Sequence, residues 1–498
     1  MQHRWSRRLV VALIAVGSVA AASCSSSSND ASNTGSSVGT GTAEPACSRP
    51  DGTTIAVPAD CGTIQAAVDV AQPGDLILIS PGVYHEAVDV TTDDLVIRGL
   101  DRNGVILDGE FELENGIRII DADGVAVENM TAQNYTRNGF FWTTNINGYR
   151  GSYLTALRNG DYGIYAFGAR NGVFEHSYGA GSPDAGFYIG QCYPCNAVMD
   201  DVVSEYNGLG YSGTNSGGDL YIVNSVFRYN RAGIVPNSGS YEGCAPERES
   251  TLVGNQVYSN NNDTSPAIGA AITAQENGII IPGGVDNLVE RNRVVDHNIA
   301  GINLVPFPES KPINGIPNPP DDDCLADAIP ASPEEQADLP EELFWPATGN
   351  VVKGNAISDS GTADIIMAAI ADESNEFCDN EFTSSIPADI ETVAPCGGPV
   401  GSFGLEGAAL MLDLTGQDRA ESVPYDQAVW PLPGALENMP DAATAPATPA
   451  PHSPPTYPDV AAIALPPMPD LSRGPKGLDG VTGTSGRPGG TTPGTTAG

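Results

Sequence analysis

Two carboxylates, Asp161 and Asp184, each precede a glycine and an aromatic-bearing apolar run, Asp161-Tyr-Gly-Ile-Tyr165 and Asp184-Ala-Gly-Phe-Tyr188. If the two runs stack as neighbouring strands, their carboxyls approach to about 5 Å. Such proximity raises one pKa and makes an acid–base pair, or recruits a hard cation such as Ca²⁺. Asp in this position is also ordinary turn chemistry. Arg137 and Arg231 occupy corresponding turns and are the bases available beside the pair. If the residue after each glycine points inward, the next points outward. The outward column then reads Phe141, Tyr165, Tyr188, Ser212, Val235, Ile280 and Asn303. Flat apolar faces with polar edges suit sugar rings, so Phe141, Tyr165, Tyr188 and Asn303 are the expected substrate-binding residues. Aromatic residues are also good strand formers in their own right.

The element that must hold these residues is a repeat. A polar anchor is followed by an apolar residue two positions on, a second polar residue six after the anchor, and then Gly with an apolar run. Asn224-Ser-Val-Phe-Arg-Tyr-Asn230 leads to Gly233, and Asn292-Arg-Val-Val-Asp-His-Asn298 leads to Gly301. The same frame fits anchors at Asn129, Tyr153, His176, Asp201, Asn255 and Asn355. Short alternating runs at this period predict an all-β protein, a single-stranded right-handed parallel β-helix solenoid. Buried Asn is expected to hydrogen-bond from rung to rung, and Gly to supply left-handed corners. The stretch from Thr63 to Gln72, apolar at 64, 67, 68 and 71, predicts an N-terminal cap helix over the open end.

Composition narrows the function. With 22 Lys+Arg against 62 Asp+Glu the formal net charge is −40, which argues against nucleic acid and against an anionic membrane surface as partners. Residues 1–23 read as a signal peptide, with Arg4, Arg7 and Arg8 before an apolar stretch; Ala-Ala-Ser-Cys24 resembles a bacterial lipobox, with ordinary secretion as the alternative. A lipidated Cys24 makes membrane contact a matter of the lipid anchor, and residues 24–45 a flexible spacer. The remaining cysteines are even in number, which reads as disulfides in an exported protein. Proximity favours Cys47 with Cys61, Cys192 with Cys195 and Cys378 with Cys396, leaving Cys244 for Cys324. Cys192-Tyr-Pro-Cys195 also has the spacing of a redox or copper-binding dithiol. Insertions at 238–249, 262–277 and 306–349 are expected at corners flanking the outward column, the last with a helix over 333–344 and a solvated Asp321-Asp322-Asp323 loop. The solenoid is expected over 46–400, a C-terminal cap over 401–430, and a disordered Pro/Thr/Gly tail over 431–498.

Residues Thr63 to Glu86, with Ala-Gln-Pro-Gly-Asp75 and Ser-Pro-Gly-Val-Tyr-His-Glu86, resemble the cap and first rung of pectin-lyase-like β-helix proteins. Asp184-Ala-Gly-Phe-Tyr-Ile-Gly-Gln191 resembles a segment of bacterial parallel β-helix repeat proteins. The resemblance implies the fold and a carbohydrate substrate along one strand stack. It does not supply the catalytic sets of polygalacturonases, mannuronan epimerases or pectin methylesterases, whose motifs the chain lacks. The expectation is a monomeric surface lipoprotein that binds, and in the enzyme reading modifies, an extracellular carbohydrate. The alternatives are a polysaccharide lyase, hydrolase or epimerase, and a non-catalytic structural or adhesive protein.

Overall fold

A computed structural model describes residues 47–310, 324–325, 342–368, 374–401, 407, 410 and 422–473. The signal peptide, Cys24, the spacer and Asp321 to Asp323 lie outside the described residues. Three parallel sheets run the length of the molecule: sheet I from Thr54–Val57 to Glu376–Cys378, sheet II from Gly82–Tyr84 to Ala356–Ser360, and sheet III from Val88–Val90 to Ser385–Ile386. Each turn of chain gives one short strand to each sheet. In one rung these are Arg170–Glu175, Tyr178–Ala180 and Ala185–Gly190. The chain is therefore a right-handed parallel β-helix, capped at its first rung by helix α1, Ile64–Val70, whose N-cap Thr63 accepts from the Ala66 amide.

Alternation fills the interior with columns. In sheet III the inward column Phe140, Ile164, Phe187, Tyr211, Ile234, Ile279 and Ile302 is fully buried, at about 1.5–3 kcal/mol per large apolar side chain. Asparagines at the corners form amide ladders. Asn255 donates to Asn292 at 3.0 Å, Asn292 to Asn355 at 3.0 Å, and Asn207 to Asn230 at 3.1 Å. These satisfy polar groups that burial would otherwise penalise.

Two corner expectations need correction. The left-handed positions are Asn129, Tyr153, His176, Asp201, Asn224, Gly254, Arg291 and Gly354, so the anchors placed at Asn255, Asn292 and Asn355 are one residue late. Those three are ladder asparagines instead. The repeating glycines of sheet III do not serve left-handed turns. A Cβ added at Gly139, Gly163, Gly210, Gly233 or Gly278 would lie 2.4 to 2.7 Å from the carbonyl oxygen of the glycine one rung on, so close rung packing requires them.

The four disulfides join Cys47 to Cys61, Cys192 to Cys195, Cys244 to Cys324 and Cys378 to Cys396. Within the largest insertion, Glu342–Trp345 is a strand antiparallel to Phe307–Ser310, which corrects the C-terminal end of the helix expected there; residues 333–341 lie outside the described residues.

The C-terminal part departs furthest from expectation. Residues 431–473, read from composition as disordered, lie against the solenoid. Proline removes N–H groups but leaves carbonyls as acceptors, and arginines of the body take them up. Arg98 donates to the carbonyls of Ala445 at 2.7 Å and Pro446 at 2.9 Å, Arg150 to Thr448 at 2.9 Å, Arg291 to Ile463 at 2.7 Å, and Arg293 to Pro466 at 2.7 Å. Residues 402–421, where the cap was expected, lie outside the described residues save 407 and 410. Residues 474–498 also lie outside.

Candidate functional site

Register places Phe141 beside Tyr165, Tyr165 beside Tyr188, and Tyr188 beside Ser212 on the outer face of sheet III. Ser212 aligns with Val235, and Ile280 with Asn303. The column is continuous, but its surroundings change along its length. From Tyr188 onward it is covered: Tyr188, expected to contact sugar, is fully buried and packs against Tyr165 instead. The insertion at 262–277 folds a short helix, α2 (Ala270–Thr273), whose Ala271 packs with Leu209, Ala232, Val235 and Ile280. Asn303 is fully buried and donates to Asn277 at 3.0 Å, so it is a scaffold residue and not a sugar contact. Arg231 is likewise removed from the set of bases. It is 1% exposed, and its guanidinium clamps this insertion through the carbonyls of Ser265 at 2.9 Å and Asp263 at 2.8 Å.

The other end of the column stays open. Phe141, Tyr165 and Phe167 are half-buried, and Tyr162 from the strand start joins them. Phe141 and Tyr165 stack with ring centroids 4.6 Å apart, Tyr162 and Tyr165 at 4.2 Å, and Tyr188 meets Tyr165 edge-on at 4.8 Å. Such offset and edge contacts are the favoured aromatic geometries and hold the rings as one rigid surface.

Along one side of this surface runs the turn holding Arg137, Asp161 and Asp184. Their backbones are bonded rung to rung: the Asp161 amide donates to the Arg137 carbonyl at 2.8 Å, and the Asp184 amide to the Asp161 carbonyl at 3.1 Å. The Arg137 guanidinium donates to the Asp161 carboxylate at 3.1 Å. Burial pushes the Asp161 pKa up while Arg137 opposes the rise. Asp184 has no such cation. Burial pushes it up to about 7, the Tyr162 hydroxyl pulls against that by donating to its carboxyl, and the charge of Asp161 adds to the rise.

A third carboxyl was not foreseen. Glu242, from the 238–249 insertion, accepts from the Tyr188 hydroxyl; burial pushes it up to about 8, with Asp184 contributing. Its loop is fastened on several sides. Asn215 donates to the Gly239 and Glu242 carbonyls at 2.7 and 2.8 Å, the Gly243 amide donates to Gln191 at 2.9 Å, and Cys244 is bridged to Cys324. The length and edge position of the insertion were readable from sequence, but which of its side chains turns inward was not. Tyr241, 44% exposed, stands at the rim, its hydroxyl accepting from Asn237 at 2.8 Å.

Burial and neighbouring acids hold the hydroxyls of Tyr162, Tyr165 and Tyr188 well above their ordinary pKa, so they remain hydrogen-bond donors. Three coupled carboxyls of graded acidity thus line a ledge of rings. Among the described residues no group of three His, Cys, Asp or Glu side chains is placed to hold a metal ion.

No protein-family model matches the chain, and no curated protein does. Solved structures do. The A-module of the mannuronan C-5 epimerase AlgE4 from Azotobacter vinelandii matches at 14% identity and a TM-score of 0.44, covering 68% of this chain and 94% of that one. A rhamnogalacturonan lyase matches at 12% identity and 0.42, covering 74% and 91%. The catalytic domain of a GH87 alpha-1,3-glucanase matches at 12% and 0.38, covering 72% and 70%. At these identities and scores no residue role or activity passes from those proteins to this chain.

Proposed function

We propose that the open end of sheet III binds a polysaccharide of neutral sugars and that Glu242 and Asp184 hydrolyse its glycosidic bonds. The observation that carries this reading is the ring surface of Phe141, Tyr165 and Phe167 set beside carboxyls whose environments separate their acidities. A pyranose lies on the rings by its apolar face. Glu242, pushed up to about 8, is protonated at neutral pH and is the general acid for the glycosidic oxygen. Asp184, at about 7, is the base that takes a proton from water. Asp161, ion-paired with Arg137, supplies fixed negative charge for an oxocarbenium-like transition state. A uronate polymer is disfavoured. Among the described residues, the arginines beside the open column are committed, Arg137 to Asp161 and Arg118 to Asp89 at 2.9 Å.

Release of reducing ends from a panel of neutral polysaccharides tests the proposal. Asp184→Asn and Glu242→Gln should each lower kcat by about 10²–10⁴ with unchanged thermal melting. For the wild type, kcat/KM should follow a bell, rising through the Asp184 value of about 7 and falling through the Glu242 value of about 8. Wild-type turnover in both variants would discard the catalytic assignment. A second reading, non-catalytic carbohydrate binding, draws on the tyrosine partners of Asp184 and Glu242, since a hydroxyl donated to a carboxyl also serves simply to hold it. Binding without product at any pH would favour that reading. Attachment to a membrane through a lipidated Cys24 belongs to the same proposal, and metabolic labelling with a fatty acid, abolished in Cys24→Ser, tests it.

A further inference from the structure

Resting on that reading of the site, we propose that the returning C-terminal segment supplies a second aromatic subsite, Tyr425 with Phe111, on the far side of Asp161. The substrate is then an internal stretch of a long polysaccharide and not a chain end or a small sugar.

Tyr425 and Phe111 form a ring pair 5.9 Å apart, each half-buried. A Cβ added to Gly160 would lie 3.2 Å from the Tyr425 Cζ, so the tip of this ring rests over the turn that carries Asp161. On its other side Asp161 faces the ring surface, where its charge acts on Tyr165; the same charge raises the Tyr425 hydroxyl pKa. Asp161 therefore stands between two aromatic patches contributed by parts of the chain far apart in sequence. Two ring platforms separated by carboxyls fit sugar units on both sides of the bond to be cut, which is what binding the middle of a chain requires.

Tyr425 does not sit on a loose tail. Ahead of it, the Ser422 hydroxyl accepts from the Ala267 amide at 2.7 Å. Behind it, Trp430 is 4% exposed, packs where Gly181 leaves room for its ring, and carries the Arg158 guanidinium 4.9 Å from its ring centroid. A platform fixed on both sides is preorganised, so little ordering entropy is lost when sugar binds.

The test is a length series, neutral glucan oligosaccharides from disaccharide to octasaccharide, assayed for binding and cleavage by the full chain. Tyr425→Ala and Phe111→Ala should each weaken binding of the longest members about tenfold and that of the disaccharide far less. Tyr425→Phe should retain wild-type length dependence, which separates loss of the ring from loss of the fold. Equal effects on short and long oligosaccharides, or no effect on either, would overturn the subsite while leaving the main groove standing. A wild-type protein that neither binds nor cleaves any member would sink the carbohydrate reading itself, and this inference with it.

Discussion

The solenoid carries an outward aromatic cluster and an outward aromatic column, and they have met different fates. On sheet II and the turn after it, Tyr178, Tyr206, Tyr229 and Tyr258 are buried beneath Ala428, Trp430 and Leu436 of the C-terminal segment. On sheet III, Phe141 and Tyr165 stay half-exposed. Their acids differ in the same way. Glu205, beneath the cluster, accepts from Arg228 at 2.5 Å and from the Tyr178 hydroxyl at 2.5 Å, and Arg228 also donates to Tyr258 at 2.8 Å. Asp184 and Glu242, beside the second, accept from tyrosines with no basic partner. A cluster sealed by its own chain and neutralised by arginine is architecture. A column left open beside carboxyls whose acidities lie near neutral pH has the makings of a reactive surface.

The largest expected effect tests the seal. Trp430→Ala should cost about 4 kcal/mol in denaturant unfolding, because it empties the space over Gly181 and removes the ring beneath Arg158. A cost under about 1 kcal/mol would mean that the cluster tolerates exposure and that the contrast is one of degree. Next come the acids. Arg228→Ala strands the Glu205 carboxylate, 7% exposed, and should destabilise by about 3 kcal/mol. Glu242→Gln removes a group already protonated at neutral pH and should change stability by less than about 1 kcal/mol there. Similar losses in the two variants would erase the distinction.

A pH dependence follows from the same contrast. Asp184 and Glu242 have folded-state pKa values of about 7 and about 8, above those of unfolded carboxyls, so the folded state binds more protons and stability falls as pH rises through these values. The wild type should lose stability steadily between about pH 5 and pH 8.5. The Asp184→Asn/Glu242→Gln double variant should follow a flatter curve, and a parallel one would place the titration elsewhere.

How much of this was legible in the sequence varies by region. The alternation that put Phe141, Tyr165 and Tyr188 on one outward line needed only the period of two and the glycine that precedes each strand, and the observed register runs through the same residues. Asp161 and Asp184 could be placed on adjacent rungs for the same reason. Glu242 was beyond reach because an insertion has no periodicity to fix its register. Arg231 and Asn303 were misjudged because the residues that bury them, Asp263 to Asn277, belong to such an insertion. The C-terminal segment was misread for a different reason. Low hydrophobicity and many prolines signal disorder when burial of apolar surface is the only force considered. Here arginine-to-carbonyl bonds do much of the holding, and such bonds leave almost no pattern on the acceptor side.

The amide ladder also bears on how such a molecule can change. Asn207 reaches Asn230 across 23 residues of chain, Asn255 reaches Asn292 across 37, and Asn292 reaches Asn355 across 63, yet every contact closes at 3.0 or 3.1 Å. The ladder counts rungs and is blind to the length of chain between them. Loops can therefore be spliced in or exchanged between two ladder amides while the scaffold keeps its pitch, as the loop that delivers Glu242 has been. In this architecture the equipment for recognition is a cassette, and the reading frame into which it is inserted is written in asparagine.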